Sequence, residues 1–378
     1  MVKRKILIVI NNLDSGGTEY HLLQVLPRLC QQLSCEIYIY TIDGRGRLAP
    51  QFENQGIKVI SLRSNKTNNG FYHAWSYCRS FFLLKRTIKK IQPDVIHCFL
   101  TKAYIFTAMA NFFQRRPLIM SRRSLNFYQS KHFVLSKVER FMHRFLLFAL
   151  GNSKAVVNQL ITEGIPERKV RLIYNGVDTE KYHHDNLVAK QKKSLSLIIV
   201  ANLRAYKGHL DLLSALTIIA NRLPKDWQLI CAGRNDGMLN VLKAKASELH
   251  LGKHIHWVGE CENISGKLKR SDIMIACSHE EGFSNSILEG MSASLPIIAT
   301  DVGGNSEAVT DNQTGFIVPV KSPKLLSEAI LTLATSDELR KKFGQAGRLR
   351  VEKYFSIEAC VINYKYFYEE VFRLIDKT

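Results

Sequence analysis

Short apolar runs, each closed by a turn signal and followed by a stretch with helical spacing, recur along this chain and then begin again. "KILIVI", "CEIYIYTI", "IKVISL", "DVIHCFL", "PLIMS" and "LLFALGNS" read, at least in part, as buried strands. Between them, "EYHLLQVLPRLCQQL", "HAWSYCRSFFLLKRTIKKI" and "TKAYIFTAMANFF" place apolar residues at helical spacing. A strand buried on both faces needs a crossover to reach its parallel neighbour, so the alternation predicts a parallel sheet covered by helices. The series restarts with "LSLIIVANL", "WQLICAG", "HIHWVGE", "DIMIACS" and "PIIATDVGG", separated by "GHLDLLSALTIIANRL", "MLNVLKAKASEL" and "NSILEGMSAS". At 378 residues the chain exceeds one comfortable core. The expected fold class is α/β: two doubly wound parallel-sheet domains in tandem.

The join falls between Asn175 and Ser194, where "NGVD" makes a tight turn and "TEKYHHDNLVAKQKKS" is polar and without pattern. Residues 1–178 are assigned to a first domain and 179–355 to a second. Residues 356–378 hold "EACVINYKYFYEEVFRLI", a helix whose apolar stripe needs a partner and is expected to return to the first domain. No apolar run approaches the roughly 20 residues of a membrane span. "KRKILIVI" has a five-residue apolar core, short for a signal peptide, and reads as a first strand. The eight cysteines show no C-x-x-C pair, so reduced thiols and a cytoplasmic location are expected.

Charge divides the two halves. Residues 1–178 contain 27 Lys/Arg against 10 Asp/Glu, and residues 179–378 contain 26 against 23. The first half is therefore expected to face an anionic partner, nucleic acid or an anionic membrane leaflet. "HAWSYCRSFFLLKRTIKK" and "KHFVLSKVERFMHRFLLF" mix aromatic residues with Lys/Arg, as helices lying on a bilayer surface do. Each is equally an ordinary helix with one solvated face. No nucleic-acid module is recognisable, which favours peripheral membrane association at the inner face of the cytoplasmic membrane and no nucleic-acid partner.

The chemistry concentrates in "CSHEEGFSNSILEGM", Cys277 to Met291, where Glu281 and Glu289 stand eight apart. Ser284 reads as an N-cap, and a helix start favours phosphate. Glu289 lies one turn beyond Asn285 on the same face, within reach of a ribose; Glu281 would face the sugar end of such a ligand. A solvated glutamate pair beside an ordinary helix is the plainer alternative. Upstream, "ANLRAYKGH" follows another strand and offers Arg204 and Lys207, either surface charge or a clamp on a diphosphate. There is no D-x-D motif, so no metal-bridged diphosphate and no cofactor are expected.

"EGFSNSILE", "LRAYKG", "GNSKAV", "VRLIYNGVD" and "ATDVGGNSEAV" resemble the retaining GT-B glycosyltransferases of family 4, over nearly the whole chain and most specifically between Leu172 and Glu307. The resemblance implies two Rossmann-like domains facing a central cleft, with a nucleotide-sugar donor held mainly by the second and a glycan or lipid-linked acceptor by the first. It implies that Glu281 contacts the donor sugar, Lys207 the diphosphate and Glu289 the ribose. Phe283 and Ser284 would offer backbone to the sugar and phosphate, beside Asn285. Gly16 and Gly17 of "SGGTE" match the family's glycine turn near the donor phosphates; alone, they are an ordinary tight turn. The loops Gly233–Asp236, with Gly233 and Arg234, and Gly259–Asn263 are expected to choose the base. The implied activity is a retaining, metal-independent hexosyl transfer from a UDP- or GDP-sugar in cell-surface polysaccharide biosynthesis.

Two positions depart from the family pattern. Asn202 stands where the family has arginine, with Arg204 as the replacement, and Arg123 stands near the place of a family histidine. Arg122 and Arg123 are candidates for an acceptor phosphate, or an exposed basic loop. His97 is either a site residue or a buried one, with the structural reading favoured, and His254 with His256 is expected to form a structural pair on one strand face. An epimerase on the same fold, a non-catalytic nucleotide-sugar-binding scaffold and a nucleic-acid binder are the competing readings.

Overall fold

The computed structural model describes residues 3–14, 16–62, 70–125, 133–182, 194–261 and 263–377. The chain runs β1 (Lys5–Ile10), α1 (Gly17–Leu33), β2 (Glu36–Thr41), α2 (Ala49–Asn54), β3 (Lys58–Ser61), α3 (Gly70–Ile91), β4 (Val95–Phe99), α4 (Thr101–Asn111), β5 (Leu118–Arg122), α5 (Phe133–Met142), β6 (Phe148–Gly151), α6 (Lys154–Thr162) and β7 (Val170–Leu172). It continues through β8 (Ser196–Val200), α7 (His209–Ile219), β9 (Gln228–Ala232), α8 (Leu239–Glu248), β10 (Ile255–Gly259), α9 (Ile264–Lys269), β11 (Ile273–Ala276), α10 (Asn285–Ser292), β12 (Ile297–Thr300), α11 (Asn305–Ala308) and β13 (Gly315–Val318). Three helices close it: α12 (Pro323–Thr335), α13 (Asp337–Tyr354) and α14 (Ile357–Ile375). Two compact units result, Met1–Asn175 with Ile357–Thr378, and Gly176–Ser356.

The first unit is built on a seven-stranded sheet of order β3-β2-β1-β4-β5-β6-β7, with every described pairing parallel. The period of two along β1 sorts its side chains between two cores. Ile6, Ile8 and Ile10 meet Leu22, Val25 and Leu26 of α1 and Val361, Tyr364 and Tyr368 of α14. Leu7 and Val9 meet Leu84 and Ile88 of α3 and Tyr104 of α4 on the other face. The aromatic stripe of α14 is thus buried against this unit: Cys360, Tyr364, Phe367, Tyr368 and Val371 recur at helical spacing and are all covered.

The second unit carries a parallel six-stranded sheet of order β10-β9-β8-β11-β12-β13. Leu197 and Ile199 of β8, Ile273 and Ile275 of β11 and Leu212 and Leu216 of α7 lie in its core. The edge strands β7 and β13, of three and four residues, were not among the apolar runs read as strands. His254 belongs to the turn before β10, where its ring stacks on Trp227 at 4.3 Å, so it shares no strand face with His256. The polar segment at 183–193 and most of "SRRSLNFYQSK" beyond Leu125 lie outside the described residues.

Three residues considered for the acceptor have other work in the first unit. His97 is fully buried on β4, with Nδ1 2.6 Å from the Tyr368 hydroxyl and Nε2 2.7 Å from Ser121 Oγ. Burial, then the charge of Arg123, lowers its pKa to about 3, so it is a neutral, fully bonded core histidine. Arg122 is 3% exposed and donates to Glu163 Oε1 at 2.6 Å and Glu139 Oε1 at 2.5 Å. A phosphate cannot reach a guanidinium enclosed this way. Burial opposes ionisation of Glu163, but contacts with His143 and Arg122 outweigh it and hold the carboxyl below its ordinary range. Carboxylate and imidazole atoms of Glu139, His143 and Glu163 lie within 4.8 Å of one another, and Arg122 already bridges the two acids. Arg123 is half-buried, bonded to Tyr364 and coupled to Glu19.

The glycine turn is also filled from within. Gly16 caps α1 in extended backbone, and a Cβ there would come within 2.3 Å of Glu19 Oε2. The carboxylate of Glu19 therefore folds back over the start of its own helix, the position an external phosphate would need. Gly17 opens α1 behind it.

Removing the Arg122 guanidinium leaves two buried carboxylates without their shared cation. Arg122→Met is expected to lower stability by about 3–5 kcal/mol in urea unfolding. Adding Glu139→Gln and Glu163→Gln should recover most of that loss.

Candidate functional site

In a parallel sheet all strand ends of one kind face the same way, so loops distant in sequence converge there. In the second unit the order reverses between β8 and β11, and the residues of interest leave the carboxyl ends of β8, β9, β11 and β12 on either side of that seam. The loop after β8 carries Asn202, Arg204 and Lys207; the loop after β9 carries Gly233, Arg234 and Asp236; the loop after β11 carries Ser278, Glu281, Phe283 and Ser284.

Glycines let these loops close on one another. Gly208 has φ +72°, and a Cβ would lie 1.9 Å from Cys277 O. Gly303 has φ +57°, and a Cβ there would lie 2.1 Å from Glu281 O. Neither position accepts a side chain. The backbone is pinned further by His279 N to Tyr206 O at 2.7 Å and Gly304 N to Gly282 O at 2.8 Å.

Across this junction Lys207 Nζ meets Glu281 Oε1 at 2.5 Å, with both side chains less than one-fifth exposed. Ser278 Oγ donates to the same carboxylate oxygen at 3.2 Å. Glu281 is thereby fixed at the mouth of the loop, whereas its neighbour Glu280 is exposed. Behind Lys207, buried His209 is held neutral, its pKa lowered to about 4 by burial and then by the lysine charge.

Arg204 takes a different partner. Its Nε lies 2.6 Å from Asp236 Oδ2, and Arg234 Nε lies 2.7 Å from Asp236 Oδ1. Arg234, desolvation and Arg204 act on Asp236 in that order, and the net effect holds its carboxyl below the usual range. Asn202 orders the same loop: Arg234 N donates to its Oδ1 at 3.1 Å. Arg204 and Lys207 therefore rest on separate carboxylates, each offering a positive charge whose partner is already in place. Gly233 packs its backbone against Ala201, where a Cβ would lie 2.0 Å from the carbonyl, so the need for glycine here is internal.

Ser284 occupies the N-cap of α10, yet its hydroxyl pairs with Ser286 Oγ at 3.0 Å and makes no cap bond to the backbone, contrary to the expectation. Phe283 is buried, its ring 5.3 Å from that of Phe355, which sets the loop backbone in place. Asn285 opens α10, and Glu289 follows one turn later, partly buried.

Glu289 bonds the hydroxyl of Tyr182, a residue from the segment read as patternless. Burial raises the Glu289 pKa to about 7, against the opposing pull of Lys181 and the Tyr182 hydroxyl. Tyr182, Asp236 and Ser278 also belong to this group of side chains; Ser278 lies inside the quoted stretch but is not singled out there. Asp236 ends a loop already suspected of contacting the ligand; Tyr182 had no such signal.

The sign of the Glu289 effect follows from linkage. Between the ordinary carboxyl pKa and about 7, the unfolded chain has released this proton and the folded chain still holds it. The contribution therefore favours folding at low pH and is lost as pH rises through that window. Glu289→Gln is expected to match the wild type at pH 4 and to exceed it by about 1–3 kcal/mol at pH 8, read by urea unfolding.

Comparison with known proteins places this arrangement. Residues 15–181 match the family described as Glycosyltransferase Family 4, and residues 180–350 match Glycosyl transferases group 1, so the two run through most of the chain. The GalNAc-alpha-(1->4)-GalNAc-alpha-(1->3)-diNAcBac-PP-undecaprenol alpha-1,4-N-acetyl-D-galactosaminyltransferase of Campylobacter jejuni is 23% identical, over 93% of this chain and 94% of that enzyme. The N-acetyl-alpha-D-glucosaminyl L-malate synthase of Bacillus anthracis is 26% identical, over 58% of this chain and 59% of that enzyme. Among solved structures, Anabaena HepE in complex with UDP aligns with a TM-score of 0.82 at 20% identity, over 97% of this chain and 100% of that one. The chain belongs to the GT-B glycosyltransferases of family 4 and is a glycosyltransferase.

Proposed function

We propose that this enzyme transfers a sugar from a UDP- or GDP-sugar to a glycan or lipid-linked acceptor in cell-surface polysaccharide biosynthesis, with retention at C1 and without a metal. The observation that carries the reading is the grouping around α10: Lys207 on Glu281 at one end, Glu289 on Tyr182 at the other, and a helix start between them. The spacing suits a nucleotide sugar, with the ribose at Glu289, the diphosphate toward Lys207 and the sugar hydroxyls at Glu281. The undecaprenol-linked substrate in the name of the Campylobacter relative supports a lipid-linked acceptor, and UDP in the Anabaena structure supports a uridine donor.

In this reading the C1–O bond to the diphosphate breaks, with Lys207 and Arg204 neutralising the departing charge. The acceptor oxygen bonds C1 on the same face, and its proton passes to a leaving phosphate oxygen. Glu281 orients the sugar and is not required as a nucleophile. The three basic side chains of the site supply the positive charge that a metal supplies elsewhere, so turnover is expected to persist in excess chelator. The excess of Lys/Arg in residues 1–178 supports work at an anionic membrane surface, at the inner face of the cytoplasmic membrane. Among the described residues no helix is long and apolar enough to cross a membrane.

A thermal-shift comparison of UDP, GDP, ADP and CMP tests the donor. One diphosphate should raise Tm by roughly 5–10 °C at a hundred-fold excess over its Kd. No shift with any of the four would sink the donor-site assignment. With the nucleotide known, Glu281→Gln should lower kcat/KM for transfer by about 10²–10³-fold while nucleotide affinity changes only a few-fold. Sugar conversion without an acceptor would instead identify an epimerase.

A further inference from the structure

Between Lys58 and Arg144 the chain has 17 Lys/Arg and two acidic residues, Asp94 and Glu139. Both acids are already paired within the unit. Asp94 bonds Arg4 Nη1 at 2.9 Å and Lys5 N at 2.8 Å, and Glu139 is buried against Arg122. Asp94 keeps about a quarter of its side chain exposed, so the described surface of this segment is predominantly, not wholly, neutral or positive.

On that same surface three helices of the first unit bring phenylalanines together. The buried stripe of α3 is Ser80, Leu84, Thr87 and Ile88, which leaves Phe82 on a flank, 66% exposed. At the end of α4, Phe112 and Phe113 are 52% and 79% exposed. Phe141 and Phe145, four residues apart, are about half exposed. These rings are not scattered. Phe112 packs edge-on to Phe113 at 5.3 Å and to Phe145 at 5.8 Å, and Phe145 packs on Phe141 at 5.9 Å. Lys85 lies over Phe113 at 5.5 Å and over Phe81 at 5.9 Å, and Phe81 meets Phe82 at 5.9 Å, so the row is continuous.

The tip is also held out rigidly. Asn111 donates to Arg116 O at 2.8 Å and accepts from Arg116 N at 3.1 Å, closing a loop over Phe112–Arg115. Gln114 Nε2 ties that loop to Lys85 O of α3 at 3.0 Å. A contiguous row of exposed phenylalanines, its tip tied down by part-buried polar bonds and flanked by cations, is more than the single exposed apolar residues a surface normally carries.

We propose that this phenylalanine row is a membrane-insertion crest: Phe82, Phe112, Phe113, Phe141 and Phe145 enter the headgroup–acyl boundary of an anionic bilayer while Lys85, Arg115, Arg140 and Arg144 engage lipid phosphates. Apolar rings need a place to leave water, and an unopposed cationic collar needs anions at the same depth; an anionic leaflet provides both. A nucleic acid would satisfy the cations, but rings set nearly perpendicular to their neighbours do not form the parallel platforms on which successive bases stack. The inference rests on the peripheral-membrane reading above and adds insertion to adsorption.

The full chain is sedimented with vesicles of phosphatidylcholine containing about one-third phosphatidylglycerol, at low and high salt, and with phosphatidylcholine alone. The wild type should prefer the anionic vesicles and retain a salt-resistant fraction. Trp75, 51% exposed on α3, should shift its emission to the blue on binding. Phe112→Ser/Phe113→Ser, at exposed positions, should keep the wild-type Tm, lose the salt-resistant fraction and partition on the order of 10–100-fold less. Equal partition of the double variant and the wild type, salt-resistant fraction included, overturns insertion and leaves adsorption standing. A wild type that binds no vesicle overturns both, without touching the donor-site result. Binding of generic single-stranded RNA that the double variant loses, or a wild-type dimer that it splits, reassigns the crest and likewise overturns the proposal.

Discussion

The ammonium of Lys207 and the carboxylate of Glu281 meet over the seam between β8 and β11, and the geometry of the second unit's site depends on that contact. Coulomb attraction at this distance is large, but two charges taken partly out of water repay much of it in desolvation. Its main effect is therefore positional. The pair joins the loop after one central strand to the loop after its neighbour, while Gly208 and Gly303 let the backbones behind it touch. Either residue without the other would be a half-buried charge lacking a counter-ion, and the loop would have reason to move.

The charges around this pair are nearly balanced in a way that suits an anionic ligand. Arg204, Arg234 and Lys207 face Asp236 and Glu281, and Glu289 sits near its midpoint at neutral pH. Three cations against two fixed carboxylates leave a small positive excess. Each cation is already oriented by a carboxylate, so a diphosphate entering would share pre-positioned donors and would not have to order free side chains. Asn202 fits this pattern: it adds no charge but bonds the backbone of Arg234, and so places one of the cations.

How much of this is legible in the sequence follows from which interactions are local. The β–α alternation, the strands flanking each loop and the E-x7-E spacing depend on short-range periodicity, and the chain states them directly. The short edge strands β7 and β13 have too few apolar residues to show a period. Asp236 and Tyr182 reach the site only through tertiary placement, at 32 residues from Arg204 and 107 from Glu289 along the chain. Arg122 shows the converse error, while His97, for which the structural reading is the favoured one, is a core residue. A histidine or arginine at a strand end looks functional until the partners that enclose it are known, and these partners, Tyr368, Ser121, Glu139 and Glu163, come from as far as 271 residues away. The glycine turn misleads for another reason: Glu19, inside the quoted motif, is itself the anion at the helix start.

The enclosed arginine and the exposed crest are two sides of one short stretch. In "ERFMHRF", Glu139 and His143 are four residues apart and turn inward, Glu139 to Arg122 and His143 to Glu163 and Tyr104. Arg140 and Arg144, also four apart, are exposed, as are Phe141 and Phe145. A helical turn offers few contacts with which to hold large rings out in water, and apolar packing alone would tend to draw them in. A buried ion network with fixed partners on β5 and at the C-terminal end of α6 resists that collapse, because rotating the segment to hide its phenylalanines would pull Glu139 away from Arg122. The network thus accounts for how the rings stay exposed, and the proposed membrane insertion would account for why exposure is kept.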